Sequence, residues 1–250
     1  MKNRAYKNYI FDFYGTLVDI LTDEKDPVLW DTLGQLYQAY GAAYEGDALK
    51  KAYAKRVAQT RKELIEIKGV AYPEVDLAHI FNQLYVDGRP QSSCHNQPED
   101  WGQLIAMVFR VLSRKQLLAY PHTKEVLTFL KEQGCRLYLL SNAQAAFTNA
   151  EIDLMELRPY FDAIYLSSDV GICKPQPEFL KQVLDDHGLN PAETVMVGND
   201  LTTDIAVAKV VGIDGILLNT FPYSRQELEK FPIKPDRVIT DIEALKTVFT

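Results

Sequence analysis

The chain has 250 residues, 47% of them hydrophobic and 24% charged, with a formal net charge of −7. That balance provides enough apolar surface for a full core, and the acidic charge disfavours nucleic acid or an anionic membrane as the main partner. Three scattered cysteines, Cys94, Cys135 and Cys173, match no metal-ligand spacing and read as reduced thiols.

Met1–Tyr9 is basic and runs straight into a short apolar strand, without the apolar stretch and small-residue cleavage site of a signal peptide. No segment approaches the length needed to span a bilayer, so the expected location is the cytoplasm. Tyr9-Ile10-Phe11-Asp12-Phe13 is a short apolar run broken by Gly15-Thr16, the pattern of a buried strand entering a turn. From about Pro27 to Leu118 the apolar spacing becomes helical. Trp30, Leu33, Leu36 and Tyr37 share one face, as do Ile80, Leu84, Ile105, Val108 and Phe109. Between them, Asp47–Lys68 reads as a solvated charged helix face, Asp87–Pro90 as a turn and Ser92–Pro98 as a loop. Trp30, Tyr37, Tyr40, Phe81 and Tyr85 could line a substrate pocket but at helical spacing read rather as the core of this insertion; Arg56, Arg61 and Arg110 could bind a substrate carboxylate or phosphate but read rather as its solvated face.

After Pro121 strands alternate with helices. A helix from about Thr123 stops at Gly134, and Arg136–Leu140 is a buried strand. Further strands are expected over Asp162–Leu166, Thr194–Val197, Gly215–Leu218 and Arg237–Ile239. The helices between them centre on Phe147–Met155, Pro177–His187 and Thr203–Val211. Such alternation implies an α/β fold with a doubly wound parallel sheet and right-handed crossovers. Functional residues in such sheets stand just beyond the carboxyl ends of strands.

Four polar clusters stand there: Asp12, Ser141-Asn142, Lys174, and Asn199-Asp200 with Asp204. Singly, each has a plainer reading as a turn cap, a helix N-cap or a favourable charge at a helix start. Together, at one sheet edge, they suit attack by a carboxylate. Asp12 is the candidate covalent nucleophile. Against phosphorus, Ser141 can hydrogen-bond the transferring oxygens, and Lys174 can neutralise both Asp12 and the phosphoryl group. A hard cation such as Mg²⁺, held by Asp12 and Asp200, would offset the repulsion between carboxylate and phosphate.

Asp12-Phe13-Tyr14-Gly15-Thr16-Leu17-Val18-Asp19 resembles the first motif of the haloacid dehalogenase-like (HAD) superfamily. Ser141-Asn142, Lys174-Pro175 and Gly198-Asn199-Asp200-Leu201-Thr202-Thr203-Asp204 resemble its second, third and fourth. The resemblance implies a Rossmann-like core over residues 1–20 and 119–250, with an inserted all-helical cap domain over 21–118. It further implies catalytic roles for Asp12, Tyr14, Ser141 and Lys174, and substrate contacts from Thr16, Ser141, Asn142 and Lys174. The implied cation, Mg²⁺, would be held by Asp12, the backbone carbonyl of Tyr14 and Asp200. Asn199 and Asp204 would support the site, Asp204 through Lys174, while Asp19 is structural.

Two departures from the family pattern pull in opposite directions. Phosphatases of this superfamily carry a second Asp two positions after the nucleophile as general acid and base; here the residue is Tyr14, as in the metal-independent 2-haloacid dehalogenases. A tyrosine with an ordinary pKa near 10 is poorly matched to abstract a proton from water. Dehalogenases, however, lack a cation-binding acidic loop, and Asp200 and Asp204 are both present. The acidic loop carries more weight. The expected function is a Mg²⁺-dependent phosphatase of a small phosphorylated metabolite, with no nucleic-acid or membrane partner, as monomer or homodimer. The alternatives are a 2-haloacid dehalogenase and a catalytically impaired protein that binds phosphate esters. His79, His95, His122 and His187 show no ligand spacing.

Overall fold

The computed structural model describes residues 6–90 and 98–249. The expected loop at Ser92–Pro98, with Cys94 and His95, lies outside them except for Pro98. Strand β1 (Asn8–Phe11) is buried along its whole length. It sits between β4 (Arg136–Ser141) and β6 (Thr194–Gly198) in a six-stranded sheet of order β5-β4-β1-β6-β7-β8. The outer strands are β5 (Ala163–Leu166), β7 (Asp214–Leu218) and β8 (Arg237–Ile239), and every pairing is parallel.

Burial on both faces explains the near-continuous apolar runs. Alternate residues enter different cores. Tyr9 and Phe11 pack with Leu137, Leu139, Val195 and Val197 on one face. Ile10 packs with Tyr138, Leu140 and Met196 on the other. The helices that cover the sheet are α5 (Thr123–Glu132), α6 (Ala145–Leu154), α7 (Ser167–Val170), α8 (Pro177–Asp186), α9 (Ala206–Val211) and α10 (Arg225–Lys230).

Between β1 and β4 the chain forms α1 (Pro27–Ala39), α2 (Gly46–Lys68), α3 (Leu77–Gly88) and α4 (Trp101–Ser113). These four helices enclose an aromatic core containing Trp30, Tyr37, Phe81, Tyr85, Trp101 and Phe109. The Tyr37 and Trp101 rings meet edge-on at 5.2 Å and 77°, the geometry that ring quadrupoles favour. Phe147 of α6 joins this core, so the helical region is anchored on the sheet region through an apolar side chain. The charged face of α2 is solvated, as expected; the helix fully buries Gly46 and Leu49 and packs Ala52, Tyr53, Val57 and Leu64 against the aromatic core.

One expectation is corrected. The apolar spacing predicts helix through Leu118, but the helix ends at Ser113 and the next residues form β3 (Arg114–Ala119). It pairs antiparallel with β2 (Val18–Thr22), Val18 opposite Ala119 and Ile20 opposite Leu117. This ribbon carries the chain out of the sheet region and back, straddling both expected domain boundaries. Periodicity misses it because Leu112, Leu117 and Leu118 prolong the apolar rhythm of α4, and no Gly or Pro interrupts before Pro121. Asp19 secures the ribbon by accepting from Gln116 Nε2 at 2.6 Å.

Candidate active site

The chain leaves β1 toward β4 and leaves β6 toward β7, so the crevice between β1 and β6 is the topological switch point of the sheet. The register sets Phe11 against Leu139 and Val197. Three strands therefore end nearly level, delivering Asp12, Ser141 and the Gly198–Asp204 turn to one place. They border a cleft of about 290 Å³ that is also lined by Tyr14, Asn142, Lys174 and Thr203.

Two glycines make this approach possible. Gly15 has φ +79°, and a β-carbon there would collide with the Asn199 side chain. At Gly198 a β-carbon would collide with the Asp204 carboxylate. The expected helix over Thr203–Val211 begins as a wide π turn, Leu201–Ile205, capped by Asp200, before α9 continues it. That turn brings Asp204 back under the end of β6.

Lys174 organises the charges. Its Nζ donates to Asp12 Oδ1, to Asp204 Oδ1 and to the Leu140 carbonyl, each at 2.7 Å. Lys174 is 3% exposed and Asp204 1%. Burial alone would drive the ammonium toward its neutral form; Asp12 and Asp204 overcome this and hold its pKa above the ordinary value. Burial pushes the Asp204 carboxyl up, and the nearby charge of Asp12 adds to that, against the opposing pull of Lys174. Ser141 Oγ donates to Asp12 Oδ1 at 3.0 Å. Among the described residues the one hydrogen-bond partner of Asp12 Oδ2 is Thr16 Oγ1, at a long 3.4 Å, which leaves a lone pair open toward the cleft.

The other expected residues are all present, in differing roles. Asn142 spends both ends of its amide on the Lys174 backbone: Nδ2 donates to the carbonyl at 2.9 Å, and Oδ1 accepts from the N–H at 2.7 Å. Asn199 Oδ1 accepts from Thr16 Oγ1 at 3.3 Å. Asp200 Oδ1 caps the following turn, accepting from Thr202 N at 2.6 Å and Thr203 N at 3.1 Å. Asp204 Oδ2 accepts from the Asp200 N–H at 3.1 Å.

The segment that leads into Lys174 is paired with the α2–α3 connection. Cys173 N donates to the Tyr72 carbonyl at 2.9 Å, and Glu74 N donates to the Gly171 carbonyl at 3.1 Å. Lys68 Nζ adds a bond to the same Gly171 carbonyl at 3.1 Å. The Glu74 carboxylate then accepts from Ser167 Oγ and from Gln144 Nε2.

Tyr14 makes no hydrogen bond to Asp12. Its hydroxyl is bonded to the Glu151 carboxylate and lies 2.9 Å from Thr148 Oγ1, both on α6. Glu151, 2% exposed, is gripped by Arg110 through Nε at 2.8 Å and a terminal nitrogen at 2.9 Å, and by Arg114 at 3.0 Å. The Arg110 guanidinium lies 5.0 Å from the centre of the Tyr14 ring and 4.7 Å from that of Phe147. Arg110 is thus buried in an ion pair instead of forming part of a solvated face. Sequence reasoning missed Glu151, Thr148 and Arg114. The one available signal was an acidic residue at a mid-helix position that α6 turns inward, which needs the fold to be seen.

Burial acts to raise the Glu151 carboxyl, but Arg110, Tyr14 and Arg114 outweigh it and hold it below the ordinary carboxylate value. Because the folded value is the lower one, the stabilisation is complete above the ordinary value of 4.5 and is lost as pH falls through the folded value. Glu151→Gln is expected to cost about 3–5 kcal/mol at pH 7, the usual loss when one partner leaves a buried pair. Urea unfolding of both proteins should show the gap shrinking below about pH 4.5; a gap constant down to pH 3 would refute the ion-pair origin.

Among the described residues a second polar group stands apart. His122, Glu125 and Glu243 place ligand atoms within 4.8 Å of one another at the surface, where Lys246 pairs with Glu125 and Asp241 with His122.

A profile of haloacid dehalogenase-like hydrolases matches residues 6–212. The chain belongs to the haloacid dehalogenase-like hydrolase family. Glyceraldehyde 3-phosphate phosphatase of Methanothermobacter thermautotrophicus is 31% identical over 134 residues, 53% of this chain and 59% of that protein. Phosphoserine phosphatase of Thermus thermophilus is 28% identical over 48% of this chain and 47% of its own. The chain thus spans about half the length of the curated relatives it matches. In fold it resembles a HAD phosphatase from Thermococcus onnurineus, with a TM-score of 0.63 and 20% identity over 97% of both chains. It also resembles a 2-haloacid dehalogenase from Pseudomonas syringae, with a TM-score of 0.67 and 20% identity over 97% of both chains. These HAD structures share the fold, and the site must separate their chemistries. No helix among the described residues is long and apolar enough to cross a membrane.

Proposed function

We propose that this HAD hydrolase is a Mg²⁺-dependent phosphatase of small phosphorylated metabolites, with Asp12 as covalent nucleophile and residues 21–118 as a cap over the cleft. The observation that carries the reading is the charge count. Three carboxylates, Asp12, Asp200 and Asp204, line one cleft with a single ammonium, Lys174. A dianionic phosphate ester entering there requires further positive charge, whereas carbon–halogen displacement does not. Among the described residues the cleft also has the donor chemistry of a hard cation: carboxylate, amide and hydroxyl oxygens, with no histidine or cysteine. Mg²⁺ would be held by Asp12, Asp200 and the main-chain carbonyl of Tyr14, and when bound it supplies charge neutralisation to the phosphoryl group. The relatives named as phosphatases of glyceraldehyde 3-phosphate and phosphoserine support a short-chain phosphate monoester as substrate.

Lys174 and Ser141 orient Asp12 through hydrogen bonds to its Oδ1. An Asp12 oxygen attacks phosphorus, and the ester P–O bond breaks with its electron pair on the departing alcohol oxygen, which takes a proton from solvent. The Lys174 ammonium and the Ser141 hydroxyl face the phosphoryl oxygens as charge moves onto them. Water then attacks phosphorus, and the P–O bond to Asp12 breaks to regenerate the carboxylate. Asn142 acts at one remove, by fixing the Lys174 backbone.

Hydrolysis of p-nitrophenyl phosphate with Mg²⁺ tests the reading. EDTA should reduce the rate to background and added Mg²⁺ restore it; full activity in EDTA would overturn it. Tyr14 favours a second reading, a metal-independent 2-haloacid dehalogenase, and halide release from 2-chloropropionate in EDTA would establish that one instead.

A further inference from the structure

We propose that the Asp12 acyl phosphate outlives its own formation and accumulates during turnover, because among the described residues no group in the cleft is free to take a proton from the attacking water. The inference rests on the phosphatase reading above.

Tyr14 stands where a base for the second step would be sought, and its hydroxyl is fully committed. A phenol has one proton, and Glu151 takes it in a charge-assisted bond. The Thr148 hydroxyl, wholly buried, is then left to donate to the Tyr14 oxygen at 2.9 Å. Glu151 cannot swing to release the phenol, since Arg110 and Arg114 hold its carboxylate from α4 and β3. The ring itself is covered by the Arg110 guanidinium. Three separate elements therefore fix one hydroxyl away from Asp12.

The remaining acids are also occupied. Asp204 gives Oδ1 to Lys174 and Oδ2 to the Asp200 N–H. Asp200 caps the turn that carries Asp204 and is assigned to the cation. Glu151 does not line the cleft. Water must therefore attack phosphorus unassisted. Its oxygen bonds to phosphorus, the P–O bond to Asp12 breaks with the electron pair returning to the carboxylate, and the water proton passes to phosphate or solvent. A positioned base contributes about 10²–10⁴-fold to such a step. The first step suffers no matching loss with a p-nitrophenyl ester, whose phenolate departs without needing a proton.

The experiment is rapid mixing of the wild-type protein and Mg²⁺ with p-nitrophenyl phosphate, followed by acid quench and mass measurement of the peptide that carries Asp12. The expected result is a burst of nitrophenol approaching one equivalent of enzyme, then a steady rate at least ~10²-fold slower, with one phosphoryl group on that peptide. Tyr14→Asp should remove the burst and raise the steady rate by about 10²-fold. Linear release from the first turnover, with an unmodified peptide, would overturn the inference and leave the phosphatase reading standing. Halide release without any nitrophenol would remove that reading, and this inference with it.

Discussion

Asp12→Asn is expected to lower kcat for a phosphate ester by about 10⁴-fold or more, the scale of loss when a covalent nucleophile is removed. The neutral amide keeps the size of the side chain but presents no anionic oxygen to phosphorus. The fold should survive, because Lys174 retains Asp204 and the Leu140 carbonyl as partners. A cooperative thermal transition and an absence of phosphoryl on the quenched protein are the accompanying observations. A variant that kept a hundredth of the wild-type rate would show that Asp12 is not the attacking group.

Lys174→Met should damage stability as well as turnover. It removes the one cation between two carboxylates, one of which, Asp204, is 1% exposed. Breaking a buried pair in this way costs about 3–5 kcal/mol, equivalent to a fall in Tm of roughly 6–20 °C for a chain of this size. Adding Asp204→Asn removes the stranded charge and should return a substantial part of that loss, while activity stays absent. Differential scanning calorimetry of the single and double variants measures the coupling. If the double variant were less stable than Lys174→Met alone, the ion pair would not be what holds the turn under β6.

Much of the arrangement can be read from the chain before folding. Asp12, Ser141 and Gly198 each end an apolar run, and parallel strands that end level bring such residues together whatever lies between them. The role of Asp204 follows from its spacing after Asp200, since a single turn of helix returns its carboxylate to Lys174. Other features leave no mark in the sequence. Tyr14 and Glu151 are 137 positions apart, and nothing around Glu151 distinguishes it from an ordinary solvated helix acid. Asn142 reads as a substrate contact because it stands beside Ser141; that its amide is consumed by the Lys174 backbone is a matter of loop geometry. The β2–β3 ribbon is invisible because its second strand inherits the apolar spacing of α4.

The pairing of residues 72–74 with 171–173 ties two distant parts of the chain through two main-chain bonds, to which the Lys68 ammonium and the Cys173 thiol add side-chain contacts. The two main-chain bonds do not depend on side-chain identity, so substitutions at Tyr72, or at Cys173 by any residue but proline, leave them in place. Any displacement of the α2–α3 connection would have to carry the segment before Lys174 with it or break this pairing. A transplanted helical region that lacked a strand-like segment at this point would leave Lys174 without half of its mooring.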